Sequence, residues 1–354
     1  MTERERRLEA PHRRLQPGPR LLEKAVVRGY RATAWLVGHV PQGLAGSVIG
    51  AGGQLSYLAW PTKRQWSNEN FGHILGLPSD HPRVRRLALS AYRHYGRYMA
   101  ELMRLPGLGP EEVGKLVDDS ALDAIEPIWH ESPGGLIFAV GHVGNNEAVA
   151  AGIAKRGWPI SVLADDSAFP EMYELLRQQR ESWGVKVIAW RNLRAIYGVL
   201  RRRELLALLV DWGYRPDGIP VRLFDAWTTL PAGPAMLAAK TRSRILPISI
   251  RRTAGGKFVV TWSDPIDVPS ASPGDLVRAT QAMADALQAT IGAAPEQWYS
   301  FKPMWPPTAE ESAMLEQQAA AALAGTGPAT AVPVPDAVPG LSARSGPSLE
   351  PGPS

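Results

Sequence analysis

Several absences narrow the reading of these 354 residues before any motif is considered. Cysteine is missing altogether, which removes disulfides, thiolate zinc sites and thiol nucleophiles and fits a reducing compartment. No Gly-x-Ser-x-Gly elbow occurs, which argues against a serine hydrolase of the α/β type. The glycine cluster Gly50-Ala51-Gly52-Gly53 lacks the Lys-Ser/Thr of a phosphate loop, which argues against nucleotide binding. No uninterrupted stretch of ~20 apolar residues exists for a spanning helix. The first twenty residues are charged and proline-rich, so no signal peptide is expected, and no repeat organises the chain.

Charge is scarce in one place and concentrated in another. The net charge is only +5, yet residues 1–105 hold seventeen Lys/Arg against seven Asp/Glu, leaving the remainder acidic. Inside that basic third, Ala32 to Thr62 carries no Asp, Glu, Lys or Arg, with Arg28 and Arg31 before it and Lys63 and Arg64 after. Pro41 and several glycines interrupt the run. It reads as two short helices broken near Pro41 that lie in a membrane interface, with Trp35, Tyr57, Trp60 and Trp66 as aromatic anchors. A charge-poor core hairpin is the competing reading. Pro82 to Leu105 follows with helical spacing, an apolar stripe from Val84 to Leu102 and arginines mostly elsewhere.

What the chain does have is an apolar strand that ends on a histidine. Leu136 to Val140 runs into Gly141-His142-Val143-Gly144-Asn145-Asn146-Glu147. Residues five apart do not share a helix face, so His142 is expected on the turn after the strand and Glu147 in the first turn of the next helix. There Glu147 can orient one imidazole nitrogen while the other takes a proton, and the helix-start N–H groups can face an oxyanion. A structural histidine beside a surface glutamate is the plain alternative. The position favours chemistry, because open α/β sheets bind ligands at the carboxyl ends of their strands.

Strand-like runs at Leu136–Val140, Ile160–Ala164, Val185–Ala189, Leu205–Val210 and Ile245–Ile250 alternate with helical patterns such as Pro170–Trp183 and Leu193–Arg203. The alternation predicts an α/β fold, a largely parallel twisted sheet flanked by helices. Phe258–Trp262 is expected as a later strand, with an antiparallel edge placement as one reading, and Pro273–Ile291 as an amphipathic helix. The expected organisation is a disordered basic tail over 1–20, one domain over 21–307 with a membrane-facing helical part at 21–105, a helix at 308–323, and a disordered Pro/Gly/Ala-rich tail over 324–354. Asp165-Asp166 reads as a solvated loop rather than a metal site, and Arg201-Arg202-Arg203 as cations complementing a helix end.

The block Gly141 to Glu147 resembles the Gly-His-x-Gly-Asn-aromatic-acid signature of the bacterial lipid A biosynthesis acyltransferases. Further blocks follow in the same order: Arg180-Glu181-Ser182-Trp183-Gly184, Leu209-Val210-Asp211, Leu223-Phe224-Asp225 with Leu230 to Ala238, and Ile245-Leu246-Pro247-Ile248. The block from Leu223 to Ala238 resembles that of the actinobacterial phosphatidylinositol mannoside acyltransferases. The resemblance spans roughly Leu21 to Pro307. Three positions depart from it: Asn146 replaces an aromatic, Trp212 replaces an Arg or Gln, and Asp225 replaces a glycine.

The resemblance implies an O-acyltransferase with His142 and Glu147 as catalytic residues and Gly144, Asn145, Arg180, Asp211, Arg215 and Asp225 as substrate-binding residues. It implies a fatty acyl thioester donor, acyl-CoA or acyl carrier protein, a membrane glycolipid acceptor and an anionic membrane surface as partners. No metal, resident cofactor or nucleic acid is expected, and the implied location is peripheral, on the cytoplasmic face of the plasma membrane. Plain roles compete at two positions, a structural ion pair for Arg180 and a helix cap for Asp211. A non-catalytic peripheral lipid-binding protein of the same fold is the alternative function, motivated by Asn146, Trp212 and Asp225.

Overall fold

A computed structural model describes residues 20–118, 120, 122–165 and 169–330. Residues 1–19 of the tail expected at the N-terminus, residues 331–354 of the tail expected at the C-terminus, and Asp166 lie outside the described residues; Arg20, expected in the first tail, is helical instead.

The described residues begin with four helices, α1 (Arg20–His39), α2 (Gln42–Ala59), α3 (Pro61–Leu75) and α4 (Pro82–Arg104). The break between α1 and α2 falls at Pro41, whose ring cannot supply the N–H that would continue α1. Pro61 and Pro82 stand at first helical positions, where no N–H is needed. The α2–α4 crossing is very close: a Cβ on Gly53 would come within 2.2 Å of the Tyr92 carbonyl oxygen, and one on Gly96 within 2.4 Å of that of Ile49. The glycine cluster is therefore a packing device. No described helix is long and apolar enough to cross a membrane.

Next come α5 (Pro110–Leu116), β1 (Val117–Asp118), α6 (Leu122–Glu131), β2 (Leu136–Val140), α7 (Asn146–Lys155), β3 (Ile160–Ala164), α8 (Pro170–Ser182), β4 (Lys186–Ala189), α9 (Leu193–Arg201) and β5 (Leu205–Leu209). The hairpin β6 (Ile219–Leu223) and β7 (Ala226–Leu230) forms its own two-stranded sheet. The rest is α10 (Gly233–Thr241), β8 (Arg244–Arg252), β9 (Phe258–Trp262), α11 (Pro273–Ala293) and α12 (Ala309–Leu323).

Seven strands form one sheet in the order β1-β9-β8-β2-β5-β3-β4, parallel except for the β8–β9 pair. Central β2 is buried along its whole length, with Leu136, Ile137 and Phe138 at 2% exposure or less. Such a strand reads as an unbroken apolar run because helices cover both faces, and each large side chain contributes about 1.5–3 kcal/mol by leaving water. The expected strands are all present. The antiparallel expectation for β9 holds, but β1 pairs outside it, so β9 is not the edge. Residues 324–330, expected as the start of a disordered tail, fold back instead: Gln318 donates to the Ala329 carbonyl, and Ala329 and Thr330 are buried.

Candidate active site

Val140 leaves the centre of the sheet and the chain turns through Gly141–Asn145 into α7. Gly144 has φ +69°, and a Cβ there would sit 2.5 Å from the Ile250 carbonyl oxygen, so only glycine fits. The turn is pinned from outside by residues 297–299. The Gly144 N–H donates to the Gln297 carbonyl, and the Tyr299 N–H to the His142 carbonyl. The Asn145 side chain accepts from the Ala148 N–H, capping α7, and donates to Glu101. Glu101 in turn pairs with buried Arg252, whose backbone exchanges hydrogen bonds with Gln297. Gly144 and Asn145, expected to touch substrate, are buried and committed to shaping the turn.

This turn presents His142 to Asp211, two residues past the end of β5. The His142 Nδ1 lies 2.6 Å from Asp211 Oδ1, and the His142 backbone N–H donates to Oδ2 at 2.8 Å. Trp298 completes the set, donating from Nε1 to Oδ2 at 2.7 Å. Asp211 is fully buried, while about a quarter of the His142 side chain stays exposed. Burial opposes a charged imidazole, but the charge and hydrogen bond of Asp211 outweigh it and hold the His142 pKa above its ordinary value; Lys302 acts the other way. Burial likewise favours a protonated Asp211, yet His142 and Trp298 hold its carboxyl below the usual range. The result is an imidazole with Nδ1–H fixed on a carboxylate, which leaves Nε2 as the basic atom.

The expectation that Glu147 orients this imidazole is overturned. Glu147 is the second residue of α7 and faces α8, where Arg180 Nε donates to both its oxygens at 3.0 and 3.1 Å and Nη2 adds a third bond. The carboxylate expected to bind substrate or cap a helix, Asp211, holds the histidine. Arg180 takes the ion-pair role that was its plain alternative, and Glu147 holds its guanidinium charged against burial. Both members of the pair are mostly buried. Tyr30 of α1 donates to Gln179 of α8, so α1 packs next to them.

Glu147, Arg180 and Asn146 are the polar residues in the wall of a cavity of about 90 Å³. The rest of its wall is apolar: Phe138 and Val140 of β2, Ala207 and Leu209 of β5, Ile248 and Ile250 of β8, and Val149, Ala150 and Ile153 of α7. Its walls include the residues that flank the His142 turn on both sides. The volume is below the ~150 Å³ that suffices for a benzene-sized guest.

A family model of the bacterial lipid A biosynthesis acyltransferases matches residues 17–306. This chain belongs to that family. It is similar to the phosphatidylinositol mannoside acyltransferase of Mycolicibacterium smegmatis, 27% identical over 78% of this chain and 90% of the relative. The protein of the same description from Mycobacterium tuberculosis is 25% identical over 67% of this chain and 75% of its own length. Two residues expected at the acyltransferase site lie apart from the dyad in what they touch. Arg215 makes a two-pronged bond to Asp217. Asp225 sits with its side chain almost wholly exposed at the tip of the β6–β7 hairpin, 3.6 Å from Arg222. Asp225 keeps a positive φ of 58° although it replaces a glycine, because Phe224 and Asp225 are the two loop residues between paired Leu223 and Ala226. Trp298 was not among the residues expected at the site; its indole is fully buried, and a buried indole needs an acceptor for its N–H. Trp212 stacks on His142 with ring centroids 5.6 Å apart and planes 5° from parallel.

Proposed function

We propose that this acyltransferase moves a fatty acyl chain from a thioester, acyl-CoA or acyl carrier protein, to a sugar hydroxyl of a membrane glycolipid of the phosphatidylinositol mannoside type. The observation that carries the reading is the His142–Asp211 dyad on a turn whose flanking residues Val140 and Asn146 line an apolar cavity, within a family of acyltransferases. Similarity to two phosphatidylinositol mannoside acyltransferases supports that acceptor class.

The chemistry follows from the protonation pattern. Nε2 of His142 takes the hydroxyl proton as the sugar oxygen attacks the thioester carbonyl, and Asp211 stabilises the imidazolium that forms. The tetrahedral intermediate collapses, the C–S bond breaks, and the thiolate recovers the proton from Nε2. In this reading the backbone N–H groups at the start of α7 serve the developing oxyanion. No enzyme-bound acyl group is needed. The cavity takes the part of the acyl chain next to the thioester.

The exposed side of α1 and α2 supplies the route to a bilayer-held sugar. Val26, Trp35, Leu36, Leu44, Val48, Leu55, Leu58 and Trp60 are all exposed, a row that fits an interfacial surface. Tyr57, expected among the anchors, faces inward instead, bonded to Asn68 and packed on Tyr92.

The deciding assay is transfer from radiolabelled palmitoyl-CoA to phosphatidylinositol dimannoside in mixed vesicles. Wild type is expected to form triacylated product and His142→Ala to lose 10²- to 10⁴-fold in rate. Vesicle binding without any transfer would favour a lipid-binding protein of the same fold.

A further inference from the structure

Trp212 does more than cover His142. The Lys302 ammonium lies 4.0 Å from the centroid of its indole ring, held by cation–π attraction. Set end to end, this separation and the His142–Trp212 one cannot place the ammonium farther from the imidazole than two turns of helix, roughly 11 Å.

The segment that delivers Lys302 is firmly built. Asn70 donates to the carbonyls of Ser300 and Lys302 and accepts from the Met304 N–H, and Tyr214 donates to the Pro303 carbonyl. A second cation joins it. Lys63 bonds the Phe301 carbonyl at 3.4 Å and lies 4.5 Å over the Trp66 ring. Both ammonium groups are thus held by ring faces and, for Lys63, a carbonyl. Neither forms an ion pair with a carboxylate among the described residues. Partial burial, and then the charge of Lys63, push the Lys302 pKa down, with Arg215 adding to the repulsion and Asp165 opposing it. Two cations with no carboxylate in ion-pair contact among the described residues, at the edge of a reaction centre, have the makings of an anion site.

We propose that Lys302 and Lys63 bind the phosphodiester of the acceptor lipid and so place its sugar hydroxyl at His142. This rests on the acyl-transfer reading for what the site serves, and on the geometry alone for the site itself. Distance selects the acceptor over the donor. In a CoA or carrier-protein thioester the pantetheine arm separates sulfur from the nearest phosphate by about four residues' worth of extended chain, roughly 13–14 Å. A sugar one ring removed from a phosphodiester spans the shorter gap seen here.

The test uses the full chain as wild type, Lys302→Met, Lys63→Met and Lys302→Arg. Binding of glycerophosphoinositol and of coenzyme A is followed by calorimetry, with myo-inositol as the phosphate-free control. Each Met variant is expected to bind glycerophosphoinositol about tenfold more weakly, the loss of one charge-assisted bond. Lys302→Arg should stay within about threefold, and coenzyme A should be unaffected. In the transfer assay the KM for phosphatidylinositol dimannoside should rise about tenfold with kcat little changed. Weakened coenzyme A binding in place of glycerophosphoinositol binding would assign the cations to the donor and overturn the proposal. So would wild-type glycerophosphoinositol binding that is absent or indifferent to both lysines. Calorimetry reads the site even if no transfer occurs, so failure of the catalytic reading and failure of the phosphate site are told apart.

Discussion

Asp211 sets the protonation of His142, and the sign of the consequence can be worked out. Because the pair raises the imidazole pKa above its ordinary value, the basic form is populated only above that raised pKa. The acidic limb of kcat/KM should therefore lie above pH ~6.5. The same pairing contributes stability that is present below the unfolded histidine's pKa and is lost as pH rises through the folded one. In Asp211→Asn the raising charge disappears while burial, which disfavours the imidazolium, remains. The limb should move to lower pH and the rate should fall by about 10²–10⁴. A profile that stays in place would detach Asp211 from the base. Glu147→Gln gives the contrasting result. It removes the charge facing Arg180, so thermal unfolding should register a loss of about 1–3 kcal/mol, while the limb of the pH profile stays where Asp211 puts it. A downward shift of that limb in Glu147→Gln would reinstate Glu147 as the orienting group.

Elements bring these side chains together, and two of them carry predictions. Gly96 allows α4 to lie against α2 at backbone distance. Gly96→Val should cost about 1–3 kcal/mol by overpacking, read as a lower midpoint in urea, and loss of stability without loss of the α2–α4 contact is not expected. At the β6–β7 tip, Asp225 holds a left-handed backbone with φ 58° and an almost fully exposed side chain. Asp225→Gly should therefore stabilise by about 0.5–1 kcal/mol and leave transfer intact; lost transfer would put the hairpin tip in the acceptor site. These elements differ in how well they could be read in advance. The central strands were legible because a strand buried on both faces becomes an apolar run bounded by turn residues. Two-residue β1 carries no period, and the β6–β7 hairpin lacks the Asn-Gly type of turn that marks such loops. The apolar stripe of α4 was visible too, but its buried side is centred on Tyr92, Gly96 and Ala100. Glycine's missing side chain is what lets that face pack most closely, and a hydrophobicity pattern does not register it.

Across the molecule, a basic amino-terminal third with an apolar outer row lies over an α/β body whose dyad stands at the carboxyl edge of the sheet. If Trp35 and Trp60 enter the interface, the protein should sediment with anionic liposomes. Salt should release only part of it, since attraction between exposed charges is screened over about 8 Å at physiological ionic strength. Replacing both tryptophans with serine should reduce the salt-resistant fraction, and protein left in the supernatant at low salt would sink the interfacial surface.

The local code was enough for the alternation of β2–β5, β8 and β9 with their helices, the helix break at Pro41, the turn that carries His142 and the absence of thiol chemistry. Each depends on neighbours in the chain: apolar runs, a missing N–H, glycines that permit a tight turn. The identity of the histidine's partner was a different kind of question. Glu147 is five positions away and Asp211 sixty-nine, yet parallel pairing of β2 with β5 sets their carboxyl ends side by side and brings the distant carboxylate to Nδ1. Helix phase turns the near one toward Arg180. Trp298 closing on Asp211, Trp212 stacking on the imidazole and Lys302 lying over that indole arise in the same way, from segments that meet only when the sheet and its covering helices are assembled.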